Sequence, residues 1–226
     1  FIFIFSLFGY SHLYSQNPEL KKKAESGDKV AQYEYACYLL DFFPSEEDGK
    51  EAVSWLIKSA NQNYAPAQNY LGECLLEAEY VARNDTLAAT LFQKAATQDN
   101  EAAQFNLGMC YDKGIGVPKS LRKSFEWYKY CASSGNANAQ RELAKCYYYG
   151  KYVYVNYEKA YFWLKKAIEQ NDKEAKYYMG ECYSNGYGMN KDLKAAIAWY
   201  EEAADDGFPK AQYKLAMYCL EGNGVY

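Results

Sequence analysis

The chain has 226 residues, of which 50% are hydrophobic and 24% are charged, and its formal net charge is −4. This composition excludes an intrinsically disordered chain, which has too few apolar side chains to form a core, and it lacks the clustered basic excess typical of nucleic-acid binders. His12 is the single histidine, which argues against histidine-based metal sites and against Ser-His or Cys-His nucleophile pairs.

The N-terminal stretch is predicted to be an export signal. The apolar run from Phe1 to Phe8 is too short to cross a bilayer, which takes about 20 residues. We interpret residues 1–15 as the remnant of a signal peptide, and an uncleaved anchor or a buried N-terminal helix are the alternatives. The protein is therefore expected to be exported, periplasmic or secreted, with attachment to the cell envelope as the alternative. Membrane contact is expected only through an uncleaved signal.

A 36-residue repeat follows a degenerate N-terminal helix predicted over residues 16–27. An alanine followed by glutamine recurs every 36 residues from Ala31 onwards without insertion or deletion, and only the pair Ala175-Lys176 departs from it. This block, and a second block centred on a tryptophan or leucine column, have helical spacing. Each repeat is therefore predicted to contain two helices, here named helix A and helix B. The predicted repeats are 28–63, 64–99, 100–135, 136–171 and 172–207, followed by a partial repeat, 208–226.

Turn-forming residues between the two blocks predict where the helices begin and end. A column of capping residue types before helix B is predicted to be its N-cap: Asp48, Asn84, Ser120, Asn156 and Asp192. A second column, after helix B, contains types that tolerate the left-handed conformation at a helix end: Gly27, Asn63, Asp99, Gly135, Asn171 and Gly207. Between helices A and B, pairs such as Gly114 and Gly116 supply positive φ angles. Repeats one and two lack these glycines, so their turns are predicted to differ in shape.

The series Ala-Gln-x-x-x-Leu-Gly-x-x-Tyr, Gly-x-Gly-Val and tryptophan followed by Lys-Ala-Ala resembles the Sel-one-like repeat, a relative of the tetratricopeptide repeat. The resemblance extends from Asp28 to Tyr226 and is strongest in repeats three and five. It implies an all-α fold, a right-handed α-solenoid of antiparallel helix pairs, that binds other proteins and lines its concave side with helix A. The residues by themselves predict only the helix pairs and their period.

Two columns of helix A are candidates for binding a partner. In a helical projection they lie opposite the alanine, leucine and small-residue columns that form the packing face, and they vary between repeats. Aromatic residues, Met and Arg are enriched in interface cores. The candidates are Tyr33, Phe105, Met109, Arg141, Lys145, Tyr177, Tyr213 and Met217. The alternative interpretation is that these side chains pack against the next helix A as part of the core.

The seven cysteines are predicted to be reduced and mostly buried. Four of them occupy one column of helix A: Cys74, Cys110, Cys146 and Cys182. Like helices of successive repeats are expected about 8–10 Å apart, which exceeds the roughly 7 Å between Cα atoms that a disulfide permits. Small buried hydrophobic side chains are therefore the favoured interpretation.

No catalytic, metal-binding or cofactor-binding residues are predicted. Ser26 and Ser120 each begin a Ser-x-x-Lys pattern, but no Lys-Thr-Gly follows, so we interpret both matches as chance. The expected function is a non-catalytic scaffold that presents a concave helix A groove to a protein or peptide, without nucleic acid or small-molecule cofactor. The alternatives are an enzyme regulator or β-lactam-related hydrolase, which a resemblance to cysteine-rich repeat proteins implies, and the repeat region of a larger enzyme.

Overall fold

A computed structural model describes residues 18–42 and 45–222. These residues form helices joined by short turns, with no strand among them, so the predicted all-α repeat fold is confirmed. They divide into two compact units, the first ending at Lys119 and the second beginning at Ser120. The predicted signal segment, 1–15, lies outside the described residues. No helix within the described ranges is long and apolar enough to span a bilayer.

Residues 18–25 form helix α1, within the predicted N-terminal helix. The helices A are α2 (Lys29–Phe42), α4 (Ala65–Glu77), α6 (Glu101–Lys113), α8 (Ala137–Tyr149), α10 (Lys173–Asn185) and α12 (Pro209–Glu221). The helices B are α3 (Glu46–Asn61), α5 (Asp85–Ala96), α7 (Leu121–Ser133), α9 (Tyr157–Ile168) and α11 (Leu193–Asp205).

Four of the five predicted N-caps of helix B are confirmed, because each side chain accepts a hydrogen bond from the backbone N–H three residues later. The prediction for Asp48 is wrong. The N-cap of helix α3 is Ser45, three residues before Asp48, and the helix begins at Glu46. The Ser45 hydroxyl oxygen accepts a hydrogen bond from the Asp48 N–H at 3.1 Å. Serine is itself a favourable N-cap, and the acidic residues that follow it suit the positive end of the helix dipole.

The left-handed column after helix B is also confirmed, with φ of 57° at Asn63 and 60° at Asp99. The predicted difference in the turn of repeat two is wrong, since Ala78 has φ of 58° and lies in the same region as Gly114 at 73°. The Ala78 N–H donates to the Cys74 carbonyl, which is the bond that ends an α-helix in this conformation. That bond offsets the left-handed strain of about 1–2 kcal/mol at a non-glycine residue.

A ladder of glutamines connects the start of several helices A to the ends of helices B in the same unit. Gln68 donates through Nε2 to the carbonyl of Ala60, at the end of the preceding helix B, at 3.3 Å. Its own Oε1 accepts from Gln98, at the end of helix B in the same repeat, at 2.8 Å. Where Lys176 replaces the glutamine, its ammonium donates instead to Asp206 Oδ2 at 2.7 Å. At Lys176, therefore, an ion pair replaces the hydrogen bond between two glutamines and still links helix A to the end of helix B in the same repeat.

Small residues on helix A let the aromatic side chains of helix B approach closely. Tyr200 of α11 is fully buried, and a Cβ atom added to Gly180 of α10 would lie 2.5 Å from its ring. Burying a large apolar side chain contributes about 1.5–3 kcal/mol to stability. The small residues of helix A therefore make room for a substantial part of the core.

The seven cysteines are free thiols in the structure. The four in the helix A column are buried, whereas Cys219 on α12 is exposed. Burial, followed by the nearby carboxylates of Glu79, Glu73 and Glu77, raises the pKa of Cys74 to about 12. Burial likewise raises the pKa of Cys182 to about 12. Such thiols are protonated at neutral pH and are poor nucleophiles.

Candidate functional site

In the first unit, Tyr33 packs against the following helix A. Its ring lies edge-to-face on Tyr64, the N-cap of α4, and on Tyr70 within α4, at centroid distances of 5.6 and 6.5 Å. Burial is the main cause that raises the pKa of Tyr33. Tyr33 therefore belongs to the packing between helices A, which is the alternative interpretation of this column.

Phe105 and Met109 are half-buried on α6. Met109 lines a cleft of about 320 Å³ between α4 and α6, together with Tyr70, Cys74 and Phe92. Three carboxylates, Glu73, Glu77 and Glu79, also line this cleft, and the last two are exposed. We name it the acidic groove. It combines apolar walls with a negative rim.

Hydrogen bonds between α4 and α6 hold one edge of the acidic groove. Asn106 donates to the carboxylate of Glu73 at 2.8 Å and to the side-chain oxygen of Asn69 at 3.0 Å, and Asn69 donates to Glu73 at 3.0 Å. Burial, then Coulombic repulsion involving Cys74, raises the pKa of Tyr70 to about 12. The groove is thus a preorganised part of the first unit.

In the second unit, Arg141 and Lys145 join α8 to α10 in a charged network. Arg141 bonds Asp172, the N-cap of α10, at 2.6 Å, and Lys145 bonds Glu142 and Glu174 at 2.9 and 3.1 Å. Their side chains are only 16% and 18% exposed. Burial alone lowers the pKa of Lys145, but Glu142 and Glu174 more than compensate and raise it. Both cations therefore hold neighbouring helices A together.

The last three candidates differ in exposure. Tyr177 packs on Phe208, the N-cap of α12, at 5.4 Å and on Tyr200 at 5.6 Å. Met217 is half-buried, whereas Tyr213 is 68% exposed. Of the two interpretations of this face, packing against the next helix A therefore applies to Tyr33, Tyr177 and the two cations of α8. A projection of one helix ignores the next helix A, which covers much of this face in both units.

A larger cleft, which the sequence analysis missed, lies in the second unit between α7 and the turn that joins α8 to α9. Its volume is about 870 Å³, and we name it the aromatic cleft. Phe125 of α7 packs on Tyr147 and Tyr152 at centroid distances of 5.7 and 5.6 Å. Tyr152 and Tyr154 are 52% and 96% exposed. The cleft is lined by Phe125, Lys129, Tyr147, Gly150, Tyr152, Val153, Tyr154, Val155, Asn156 and Lys159.

The turn that lines the aromatic cleft lacks a glycine that repeats three and five have, Gly116 and Gly188. Gly116 lies so close to helix α5 that an added Cβ would be 1.9 Å from the Asp85 carbonyl oxygen. In the next repeat the position of Gly116 is occupied by Tyr152, whose ring packs on Phe125 of α7 at a centroid distance of 5.6 Å. Pairs at this 31-residue spacing include Gly49 with Tyr80, Asp85 with Gly116, Leu121 with Tyr152, and Tyr157 with Gly188. The tyrosine at position 152, where those repeats have glycine, was the available sequence signal.

The serines of the two Ser-x-x-Lys patterns have structural roles. Ser120 is the N-cap of α7 and accepts from the Lys123 N–H at 3.4 Å. The hydroxyl of Ser26 donates to the Lys23 carbonyl at 2.7 Å. Among residues 18–42 and 45–222, no group of three or more His, Cys, Asp or Glu side chains is placed to hold a metal ion.

The helix pairs, the constant repeat length and the recurring caps define a tandem-repeat protein of the tetratricopeptide-like class. The Sel1 repeat model matches six segments, 29–64, 65–100, 101–136, 137–172, 173–208 and 209–226. The chain belongs to the Sel1 repeat family.

Solved structures show the same fold. The crystal structure of c5321, a protective antigen present in uropathogenic Escherichia coli strains, superposes with a TM-score of 0.81 at 31% identity, over 93% of this chain and 45% of that one. A Sel1 repeat protein from Oxalobacter formigenes gives a TM-score of 0.81 at 26% identity, over 88% of this chain and 80% of that one. The chain thus spans less than half of the E. coli protein. No curated protein matches this sequence.

Proposed function

We propose that this protein is a non-catalytic scaffold whose helix A surface binds a protein or peptide partner. Sel1 repeat proteins are generally protein-interaction scaffolds. The observation that carries the proposal is the acidic groove between α4 and α6, where Met109 and Tyr70 line a cleft bordered by Glu73, Glu77 and Glu79.

The chemistry of the acidic groove defines the segment that fits it. Apolar walls accept an apolar side chain, and the carboxylates at the rim favour Lys or Arg on either side of that side chain. We propose direct contact with the partner for Phe105, Met109, Tyr213 and Met217. The remaining candidates of the predicted set are proposed to position neighbouring helices A and to contribute their exposed edges: Tyr33, Arg141, Lys145 and Tyr177.

Affinity capture with a charge-reversal variant tests this proposal. Glu77 and Glu79 are exposed, so the double variant Glu77→Lys, Glu79→Lys should fold and melt like the wild type. Its capture of partner proteins from a lysate of the host cell, quantified by mass spectrometry, should fall about tenfold or more. The matched control, Glu201→Lys with Asp205→Lys on exposed positions of α11, changes the net charge equally and should capture normally. Equal capture by both variants would refute the assignment of the groove.

Two further parts of the proposal have direct tests. We propose that the chain is exported, so N-terminal sequencing of the mature protein should begin at Gln16, and retention of residues 1–15 would support an anchored protein instead. We also propose the absence of catalysis, so a chromogenic β-lactam should not be hydrolysed above the uncatalysed rate. Hydrolysis that disappears in Ser120→Ala would support the hydrolase alternative.

A further inference from the structure

We propose that the aromatic cleft of the second unit is a second docking site, which takes an extended acidic segment of a partner protein that also carries aromatic side chains. The proposal rests on the protein-binding function proposed above, but it does not depend on the acidic groove. The two sites lie in different units and have opposite charge.

The walls of the aromatic cleft favour aromatic side chains. Phe125, Tyr147 and Tyr152 form a connected set of rings, and Tyr154 beside them is 96% exposed. Aromatic pairs contribute about 0.5–1.5 kcal/mol beyond the area that they bury. Tyrosine is enriched in interface cores, because its ring supplies contact area and its hydroxyl can form a hydrogen bond. A strongly exposed tyrosine at the mouth of such a cleft is suited to cover a bound segment.

The charges of the cleft favour a carboxylate-bearing segment. Lys129 on α7 and Lys159 on α9 both line it, and none of the ten lining residues is acidic. The Lys159 ammonium lies 5.3 Å from the centre of the Tyr147 ring, so one cation is held at the aromatic wall. In a chain with a net charge of −4, this cleft is locally positive. Carboxylates of a partner can pair with both lysines while its rings contact the walls.

The dimensions of the cleft favour a short segment over a folded domain. Its volume of about 870 Å³ lies within the range of about 300–1,000 Å³ that is typical of ligand clefts. Aromatic-lined grooves of this kind recognise extended peptides, whose side chains alternate between wall and solvent. A segment that alternates acidic and aromatic residues can place its rings on the walls and its carboxylates near the lysines.

The expected binding can be measured by fluorescence anisotropy on the full chain. The probe is a fluorescein-labelled ten-residue peptide of alternating Glu and Phe, with alternating Lys and Phe and alternating Glu and Ser as comparison peptides. The Glu-Phe peptide should bind the wild type at least about tenfold more tightly than either comparison peptide. Failure of the Glu-Phe peptide to bind, or equal binding of a comparison peptide, would overturn the proposal.

Charge reversal in the cleft has a matched control. In Lys129→Glu with Lys159→Glu the affinity for the Glu-Phe peptide should fall about tenfold or more. The second change places an acid in the first turn of α9, where it suits the helix dipole, so the fold should be retained. The control, Lys194→Glu with Lys210→Glu, reverses two exposed lysines in the first turns of α11 and α12 and should bind normally. An equal loss in the control would show non-specific charge attraction and overturn the proposal.

Removing one aromatic wall of the cleft tests the contribution of that wall to binding. Tyr152 has φ of 66°, so Tyr152→Gly relieves backbone strain and removes a ring that lines the cleft and packs on Phe125 of α7. This variant should melt no lower than the wild type but lose peptide binding, whereas unchanged binding would contradict the role of this ring. Glu77→Lys with Glu79→Lys should keep peptide binding. Loss of partner capture together with retained peptide binding would therefore separate the acidic groove from this site.

Discussion

Replacing Lys176 and Asp206 with glutamine, singly and together, tests whether the ladder at the start of helix A depends on matched partners. The ion pair has an Nζ to Oδ2 distance of 2.7 Å, with the two side chains 10% and 40% exposed. In the preceding repeat, Gln170 donates to Gln140 at 2.9 Å in the same place. The double variant therefore converts one partnership into the other.

The exposed fractions of the Lys176 and Asp206 side chains determine the expected changes in the free energy of unfolding. The pair lies between an exposed ion pair, worth about 0.2–1 kcal/mol, and a buried one, whose disruption costs about 3–5 kcal/mol. Asp206→Gln should destabilise by about 2 kcal/mol, because it leaves the buried ammonium of Lys176 with Glu202 at 3.7 Å. Lys176→Gln should cost about 1 kcal/mol, since Asp206 remains partly hydrated. The double variant should lie within about 0.5 kcal/mol of the wild type, because two amides restore the glutamine arrangement.

Urea denaturation of the full chain, followed by circular dichroism, measures the four members of this cycle. The expected coupling between the two sites is about 2–3 kcal/mol. Additive losses, with the double variant about 3 kcal/mol less stable than the wild type, would refute the argument. The hydrogen bond to Asp206 is the main cause that raises the pKa of Lys176. Its stabilising contribution should therefore be complete below pH of about 10 and disappear as the pH rises further.

Three other predictions concern the cysteines, the turns and the tyrosines. Cys219 should be the first thiol to react with an aromatic disulfide reagent in the native state, and fewer than seven reactive thiols after denaturation would contradict the reduced state. Gly116→Ala should lower the free energy of unfolding by about 3 kcal/mol or more, because backbone strain adds to a 1.9 Å contact of the new Cβ atom. Gly207→Ala, which has open space around it, should cost about 1 kcal/mol. Equal losses of the two variants in a denaturant titration would contradict the close approach of Gly116 to α5. Burial raises the pKa of Tyr70 to about 12, so the contribution of this side chain to stability should fall as the pH rises above about 10. Tyr70→Phe should therefore make the alkaline loss of stability shallower, and an unchanged pH dependence would argue against burial of that phenol.

The helix ends were predictable because capping depends on local chemistry. Asn84 and Ser120 cap the helices that the sequence assigns to them, since a side-chain acceptor three residues before an N–H is a short-range feature. The prediction for Asp48 was wrong because Ser45, three residues earlier, is also a favourable N-cap and takes that position. Ala78 adopts a conformation that its residue type disfavours, because the preceding helix must still end with a bonded N–H.

The binding surface was less predictable because it depends on neighbours in space. The position of Arg141 on one helix left open whether its side chain is free or packed, because its hydrogen-bond partner Asp172 lies 31 residues later. The aromatic cleft was missed for the same reason. It is lined by Phe125 and Tyr152, which are 27 residues apart in the sequence and pack on each other at a centroid distance of 5.6 Å.

The cross-repeat contacts also restrict how such an array can be rearranged by recombination. Lys176 and Asp206 lie in one repeat, so this pair would move intact if the repeat were exchanged whole. Gly49 and Tyr80 lie in successive repeats, and the Tyr80 ring occupies the space where a Cβ of residue 49 would be. Placing repeat two after a unit with a larger side chain at that position would create a collision. Repeat two therefore needs a glycine at the position of residue 49 in the repeat before it, and recombination that preserves folding should keep these two repeats adjacent.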